Sequence, residues 1–117
     1  MLGSDGAMLR GTLDVLILKA LCWGPRHGYA IAEWVKTITE TEILVEEGPL
    51  YTALHRLERD GWLIAEWGVS ENNRKAKFYS LSKSGKRQLV SETSAWARYA
   101  KAVSKALSAS TPLGVNA

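Results

Sequence analysis

Residues 47–61, EGPLYTALHRLERDG, contain the start, the body and the stop of one helix. Gly48 is suited to the N-cap, Pro49 to the first helical position and Gly61 to the position just past the end. The apolar residues between these signals follow i, i+4, i+7 spacing, which places them on one face of a helix. That face consists of Leu50, Leu54 and Leu57. We therefore predict a helix over residues 48–60 that packs on a domain through its leucines.

The opposite arc of this helix is polar and cationic. A rotation of about 100° per residue gathers five side chains there. They are Tyr51, Thr52, His55, Arg56 and Arg59. Such a set suits a helix whose outer face enters a nucleic-acid groove. An ordinary solvated face has a similar composition, so this helix alone leaves both interpretations open.

The charge distribution favours a polyanionic partner. The 117 residues suit a single domain, and the net charge of +3 conceals an asymmetry. Residues 1–71 carry six Lys/Arg against eleven Asp/Glu, whereas residues 72–117 carry nine Lys/Arg against one Glu. A basic second half points to nucleic acid, provided that the carboxylates of the first half point away from it.

Cysteine usage and the N-terminus suggest a cytoplasmic protein. Cys22 is the only cysteine, which excludes an intrachain disulfide, and we expect it to be a small core residue. The first seven residues lack the features of a signal peptide. The longest apolar run, residues 13–23, is too short to span a bilayer.

The rest of the chain predicts a helix pair followed by a β-hairpin and a long helix. Helices are expected over residues 8–22 and 27–37, and a short strand over residues 43–45. The first helix is apolar nearly all round, which suggests that a second subunit covers it. Alternation over residues 62–69 and 76–81 predicts two antiparallel strands joined by a basic, Asn-containing turn. Ser82 is suited to cap a last helix over residues 83–107.

This order is the layout of a winged helix-turn-helix, mainly α with a small β-hairpin, followed by a dimerisation helix. We assign residues 8–81 to the winged domain and residues 82–108 to the C-terminal helix. Residues 1–7 and 109–117 are expected to be flexible tails. The last helix carries an a/d pattern typical of a coiled-coil seam. The seam consists of Leu89, Thr93, Trp96, Ala100, Val103 and Leu107.

An ordered set of motifs resembles the PadR family of transcriptional regulators. Residues 9–18, LRGTLDVLIL, resemble the first helix of that family, and His27-Gly28-Tyr29 resembles the start of its second helix. Residues 46–61 are similar to its signature around the recognition helix, and residues 66–68, 73–75 and 77–81 to its wing. The chain departs from the family pattern at Pro49, Thr52 and Trp62, so a family operator sequence transfers poorly.

The resemblance implies a homodimeric DNA-binding repressor of the short-tailed subfamily, often released by a small effector. We expect DNA contacts from three elements. The candidates are His27, Tyr29, Tyr51, Thr52, His55, Arg56, Arg74, Lys75 and Lys77. Recognition-helix residues would read bases, with Arg56 the candidate for guanine, while the others would contact phosphates. Alternatives are a packed Tyr51, a structural cap at His27, a core Tyr29 and a solvated basic hairpin.

Trp96 has two interpretations, as core of a dimer seam or as the wall of a flat apolar pocket at the dimer axis. By resemblance to multidrug-sensing members, a planar aromatic effector would lie there. Its expected lining is Met8, Gly11, Val15 and Trp96. The expected dimer interface adds the seam residues and, from the first helix, Leu9, Leu13 and Leu16.

The sequence thus predicts a dimeric transcriptional regulator that binds a near-palindromic, double-stranded DNA operator. The alternative from another class is a winged-helix module that docks a protein partner and has lost DNA binding. The sequence shows no nucleophile–base pair, glycine-rich phosphate loop or metal cluster, so we expect no enzymatic activity, no cofactor and no metal.

Overall fold

The computed structural model describes residues 6–112, and side chains from residue 11 onwards. Four helices and three strands follow one another along the chain. They are α1 (Gly6–Ala20), β1 (Arg26–His27), α2 (Gly28–Ile38), α3 (Glu47–Arg59), β2 (Leu63–Val69), β3 (Lys75–Leu81) and α4 (Lys83–Leu107). The mainly helical, winged architecture predicted from the sequence is confirmed.

The N-cap of helix α3 lies two residues earlier than the sequence signals suggest, and the helix ends where they place the stop. Glu46 occupies the N-cap, so Gly48 and Pro49 lie inside the first turn, contrary to the prediction. At the other end Gly61 has a φ of +83°. Its N–H donates to the Glu58 carbonyl at 3.0 Å, and the Trp62 N–H donates to the Leu57 carbonyl at 3.0 Å. These two bonds form a Schellman motif, which turns the chain from α3 into the wing.

The core forms where α1, α2 and α3 meet the base of the sheet. Leu50, Leu54 and Leu57 of α3 are buried as predicted, together with Ala53. Their partners include Ile17, Leu18, Leu21, Ile31, Leu63 and Tyr79. This single cluster fixes α3 on the domain and leaves its other side exposed.

From residue 11 onwards, helix α1 is covered mostly by its own chain, so this part of the helix needs no second subunit to cover it. Leu13, Val15, Ile17 and Leu18 are all buried within one chain. Leu13 therefore belongs to the core of its own chain, and its place in a dimer interface stays a prediction. Leu16 is half-buried, and the side chain of Leu9 lies outside the described residues.

The sheet has three antiparallel strands in the order β1-β3-β2. The hairpin register pairs Leu63 with Leu81 and Val69 with Lys75, and Asn73 takes a positive φ of 60° in the turn. The third strand, β1, pairs with β3 and was not predicted. Conversely, residues 43–45 form no strand, because they lie in a loop with no neighbouring strand to pair with.

Helix α4 leaves the domain at a close contact with the wing. The Ser82 hydroxyl accepts a hydrogen bond from the Gly85 N–H at 3.0 Å, so the predicted cap is confirmed. Gly85 is the one buried residue of this helix. The molecule measures 62 × 28 × 22 Å, and the large apolar side chains of Val90 and Leu107 on α4 are exposed.

The structure also bears on the predictions for Cys22, for the chain ends and for a membrane-spanning segment. Cys22 is exposed rather than in the core, because it follows the last turn of α1 at the surface. Gly6 and Ala7 already belong to α1, so they are not part of a flexible tail. Residues 1–5 and 113–117 lie outside the described residues. No helix in the described part of the chain has the length and apolar character needed to cross a bilayer.

Candidate nucleic-acid interface

A groove of about 680 Å³ runs between the N-terminus of α2, the outer side of α3 and the β2–β3 wing. Seven of the nine residues predicted to contact DNA line it. They are His27, Tyr29, Tyr51, His55, Arg74, Lys75 and Lys77. Thr52 is exposed on α3 but does not line this groove, and Arg56 lies elsewhere. Residues from three separate parts of the sequence therefore meet on one surface.

His27 caps α2 and at the same time contacts the wing. Its Nδ1 accepts a hydrogen bond from the Ala30 N–H at 3.3 Å, and its Nε2 lies 3.5 Å from a carboxylate oxygen of Glu71. The ring also meets Phe78 edge-on, with centroids 5.3 Å apart. These contacts fix the imidazole, so the structural cap considered from the sequence is present.

Glu71 places one carboxylate on the groove beside its cations. Its own backbone N–H and the His27 ring hold the pKa of Glu71 below its usual value. The carboxylate is therefore ionised at neutral pH and exposed at the tip of the wing. Glu71 was not predicted from the sequence, because a single Glu in a polar turn carries no pattern.

Tyr51 packs against the start of α2 while keeping part of its ring exposed. A Cβ at position 28 would lie 2.7 Å from the Tyr51 hydroxyl oxygen, so the end of the Tyr51 ring lies directly against Gly28. Tyr51 is 37% exposed and lines the groove. Tyr29, by contrast, is 68% exposed, which excludes the interpretation of a core tyrosine.

Arg56 does not belong to the exposed arc of α3, contrary to the prediction. Its Nη2 donates to Asp14 Oδ1 at 2.7 Å and its Nη1 donates to Asp14 Oδ2 at 3.0 Å. The hydrogen bonds to this carboxylate raise the pKa of Arg56 above its ordinary value. The guanidinium of Arg56 is thus engaged with α1 rather than directed outward.

The wing presents its three cations in different ways. Arg74 is exposed at the turn, and Lys75 lies over the Trp67 ring at 5.2 Å from its centroid. Lys77 Nζ lies 3.2 Å from Glu58 Oε1 of α3, and this hydrogen bond raises the pKa of Lys77. Arg74 and Lys75 are therefore the more accessible cations of the wing, and Lys77 joins the wing to α3.

Several carboxylates of the acidic first half are neutralised by pairing. Asp14 binds Arg56 and Glu58 binds Lys77, while Asp60 contacts Arg59. These three carboxylates are therefore paired with cations, whereas Glu71 still faces the groove.

A second cavity, of about 550 Å³, lies between α1 and α4. It contains three of the four predicted effector residues, Gly11, Val15 and Trp96. The side chain of Met8 lies outside the described residues. The cavity is also lined by Thr12, Glu92, Ala95 and Tyr99, which were not predicted. The Trp96 and Tyr99 rings lie 6.2 Å apart, so two aromatic walls and one carboxylate surround the space.

The predicted seam of α4 is only partly covered within one chain. Leu89 packs against the core, and Ala100 and Val103 are half-buried. Trp96 is 39% exposed and Leu107 is 82% exposed, and Thr93 is exposed as well. The seam therefore alternates along the helix between partly covered positions and exposed ones.

Comparison with known proteins identifies the family. The profile described as "Transcriptional regulator PadR-like family" matches residues 17–91, which is more than half of the chain. This chain belongs to the PadR-like family. The resemblance seen in the sequence is thereby confirmed, and the matched residues include α3, the wing and most of the groove.

Solved structures agree with this membership. A transcriptional regulator from Clostridium thermocellum superposes with a TM-score of 0.75 at 26% identity, over 84% of this chain and 95% of that chain. A PadR-like transcriptional regulator from Bacillus cereus gives 0.70 at 25% identity, over 86% and 96%. An uncharacterized protein of Lysinibacillus sphaericus is 30% identical over 90 residues, 77% of this chain and 83% of that protein.

PadR-like proteins regulate transcription, so the chain is a DNA-binding regulator rather than an enzyme. Within the described side chains, no group of three or more His, Cys, Asp or Glu is placed to hold a metal ion. The groove on this PadR-like protein, with α3 and the wing on its walls, is the candidate DNA interface.

Proposed function

We propose that this protein binds a near-palindromic operator as a homodimer and acts as a repressor that a planar aromatic ligand releases. The observation that carries the proposal is the groove, because it unites the start of α2, the outer side of α3 and the cations of the wing. A surface that combines a helix for the major groove with flanking cations suits duplex DNA.

Base reading would fall to the exposed part of α3. Thr52 offers a methyl group and a hydroxyl, and His55 offers ring nitrogens, both from exposed positions. Arg74 and Lys75 would contact phosphates, which positions the protein without reading sequence. Tyr29 and the N-terminus of α2 would receive a further phosphate, since a helix N-terminus favours anions.

Dimerisation would use the apolar surface of α4. This 25-residue helix has one buried residue within the chain, and the side chains of Trp96, Tyr99 and Leu107 are exposed. A helix with such a surface gains stability when a second copy covers it. Two recognition helices would then face half-sites about 34 Å apart.

The cavity between α1 and α4 would hold the effector. Trp96 and Tyr99 provide faces for stacking against a flat ring, and the carboxylate of Glu92 favours a ligand that carries positive charge. A ligand in this cavity would contact both α1 and α4. Its binding would therefore shift the winged part of the chain relative to α4.

The test of DNA binding is selection of bound duplexes from a random pool, with and without planar aromatic compounds. We expect one near-palindromic consensus and weaker binding as salt rises. If no duplex binds even at low salt, the protein-docking alternative replaces this proposal.

The effector is tested by titrating the same compounds against tryptophan fluorescence. Trp96→Ala should abolish the quenching, and Trp23→Ala is the control because Trp23 is exposed and does not line this cavity. Quenching that survives in Trp96→Ala would remove the pocket from the proposal.

A further inference from the structure

An ion pair between Asp14 and Arg56 joins α1 to α3. Both terminal nitrogens of the guanidinium meet both oxygens of the carboxylate, at 2.7 and 3.0 Å. The Asp14 side chain is 12% exposed and that of Arg56 24% exposed. A two-pronged pair of this kind has a fixed planar geometry, and it is stronger than a bond between neutral groups.

Because Arg56 lies on α3, its ion pair with Asp14 restrains the orientation of that helix. Arg56 lies between the exposed His55 and the buried Leu57. The leucines hold α3 on the core through an attraction that is not directional. The planar pair supplies the directional restraint, because rotation of α3 about its axis would break at least one of its two hydrogen bonds.

We propose that Asp14 is a positioning residue for the recognition helix and acts through Arg56 to set the orientation in which α3 meets DNA. The inference rests on the proposed sequence-specific binding by α3. It differs from the sequence-based expectation that Arg56 reads a base, and the two assignments predict opposite effects of changing Asp14.

The decisive variant is Asp14→Asn, which keeps the size of the side chain and removes its charge. We expect binding to the duplex selected by the unaltered protein to weaken about ten-fold, as loss of a charge-assisted bond implies. Binding to random duplex at the same salt should stay unchanged, since the phosphate contacts of the wing are intact. If Asp14→Asn binds the selected duplex more tightly, Arg56 is a base reader held back by Asp14, and the proposal is overturned.

A double-variant cycle tests whether Asp14 acts through Arg56. The variant carrying both Asp14→Asn and Arg56→Gln should bind no more weakly than the more severe single variant. Two losses that add fully would overturn the proposal. Glu58→Gln is the matched control, because it breaks the other ion pair of α3, with Lys77 of the wing. We expect this control to change binding to selected and random duplexes alike.

A measurement without DNA tests the orientation of α3 directly. Spin labels at the native Cys22, which is exposed beyond α1, and at Arg59→Cys, an exposed position of α3, report the distance between the two helices. Labelled chains diluted with unlabelled ones should give one narrow distance distribution, which Asp14→Asn broadens. An unchanged distribution in folded Asp14→Asn overturns the inference, whereas failure of the unaltered protein to select any duplex refutes the proposed function instead.

Discussion

Gly85 shows how one absent side chain fixes the join between the wing and α4. A Cβ at this position would lie 2.0 Å from the Trp62 carbonyl oxygen, which itself accepts a hydrogen bond from the Ser82 N–H at 3.1 Å. The oxygen and carbon of the Trp62 carbonyl are the two atoms nearest to such a Cβ, and as backbone atoms they have little freedom to move. The first turn of α4 and the start of the wing are therefore in contact with no space between them.

Gly85→Ala is accordingly expected to lower the free energy of unfolding by about 1–3 kcal/mol, the usual cost of overpacking. Urea unfolding followed by circular dichroism measures it. Gly48→Ala is the matched control, because a Cβ there meets nothing within 4 Å and should stabilise α3 by about 0.5–1 kcal/mol. Equal effects of the two substitutions would show that the contact at Gly85 carries no strain.

Tyr79 and Lys77, adjacent on one face of β3, make stability sensitive to alkaline pH. Burial raises the pKa of the Tyr79 phenol, and the hydrogen bond to Glu58 raises the pKa of Lys77. Both groups hold their protons more tightly in the folded chain than in the unfolded chain. Their contribution is therefore complete below the ordinary tyrosine pKa of about 10 and is lost as pH rises through the folded values.

The free energy of unfolding should thus fall as pH rises above about 10, measured by urea titration at several pH values. Tyr79→Phe should make this fall shallower, since it removes one of the two groups. Tyr99→Phe is the control because Tyr99 is exposed on α4. If stability falls as steeply with pH in Tyr79→Phe as in the unaltered protein, Tyr79 does not contribute to the alkaline loss of stability.

At the scale of elements, the sequence predicted helices and strands that carry their own signals. Gly61 and Ser82 mark the end of α3 and the start of α4, and both are confirmed by their hydrogen bonds. Strand β1 escaped prediction because two residues, Arg26–His27, show no periodicity and become a strand only by pairing with β3. Residues 43–45 have strand-like composition but no partner strand.

The parts of the candidate site that depend on residue type could be predicted from the sequence. The parts that depend on ion pairs between distant residues could not. Exposed cations of the wing and the start of α2 were found by charge and position. The role of Arg56 was missed because its partner, Asp14, lies 42 residues away, and a helix projection cannot show a contact between helices. Glu71 and Glu92 were missed because a single glutamate in a polar turn or on a helix carries no pattern of its own.

A variant of the wing distinguishes contact with DNA phosphates from recognition of bases. Lys75→Ala should weaken binding to every duplex and reduce the slope of log affinity against log salt by about 0.9, as loss of one phosphate contact implies. Lys36→Ala is the control, since Lys36 is exposed near the other end of α2 and lies outside the groove. A changed base preference with an unchanged salt slope would make Lys75 a reader.

At the scale of the whole molecule, the shape of one chain argues for a second copy. The 62 Å axis exceeds twice the next dimension, and α4 carries exposed Trp96, Tyr99 and Leu107. Apolar surface of this kind on a helix is stabilised by burial, at about 25 cal/mol per Å² removed from water. A dimer formed through α4 would also bring the two α1–α4 cavities into one assembly.

Ala100→Glu tests that assembly, because it places a charge in the half-buried part of the predicted seam. Burying an unpaired carboxylate is costly, so the dimer should dissociate at micromolar concentration in sedimentation equilibrium, and binding should fall to that of a single half-site. Ala102→Glu carries the same charge on the same helix at an exposed position outside the seam, and it should leave the dimer intact. If both variants sediment like the unaltered protein, α4 does not form the interface, and the spacing of the half-sites must be set by another surface.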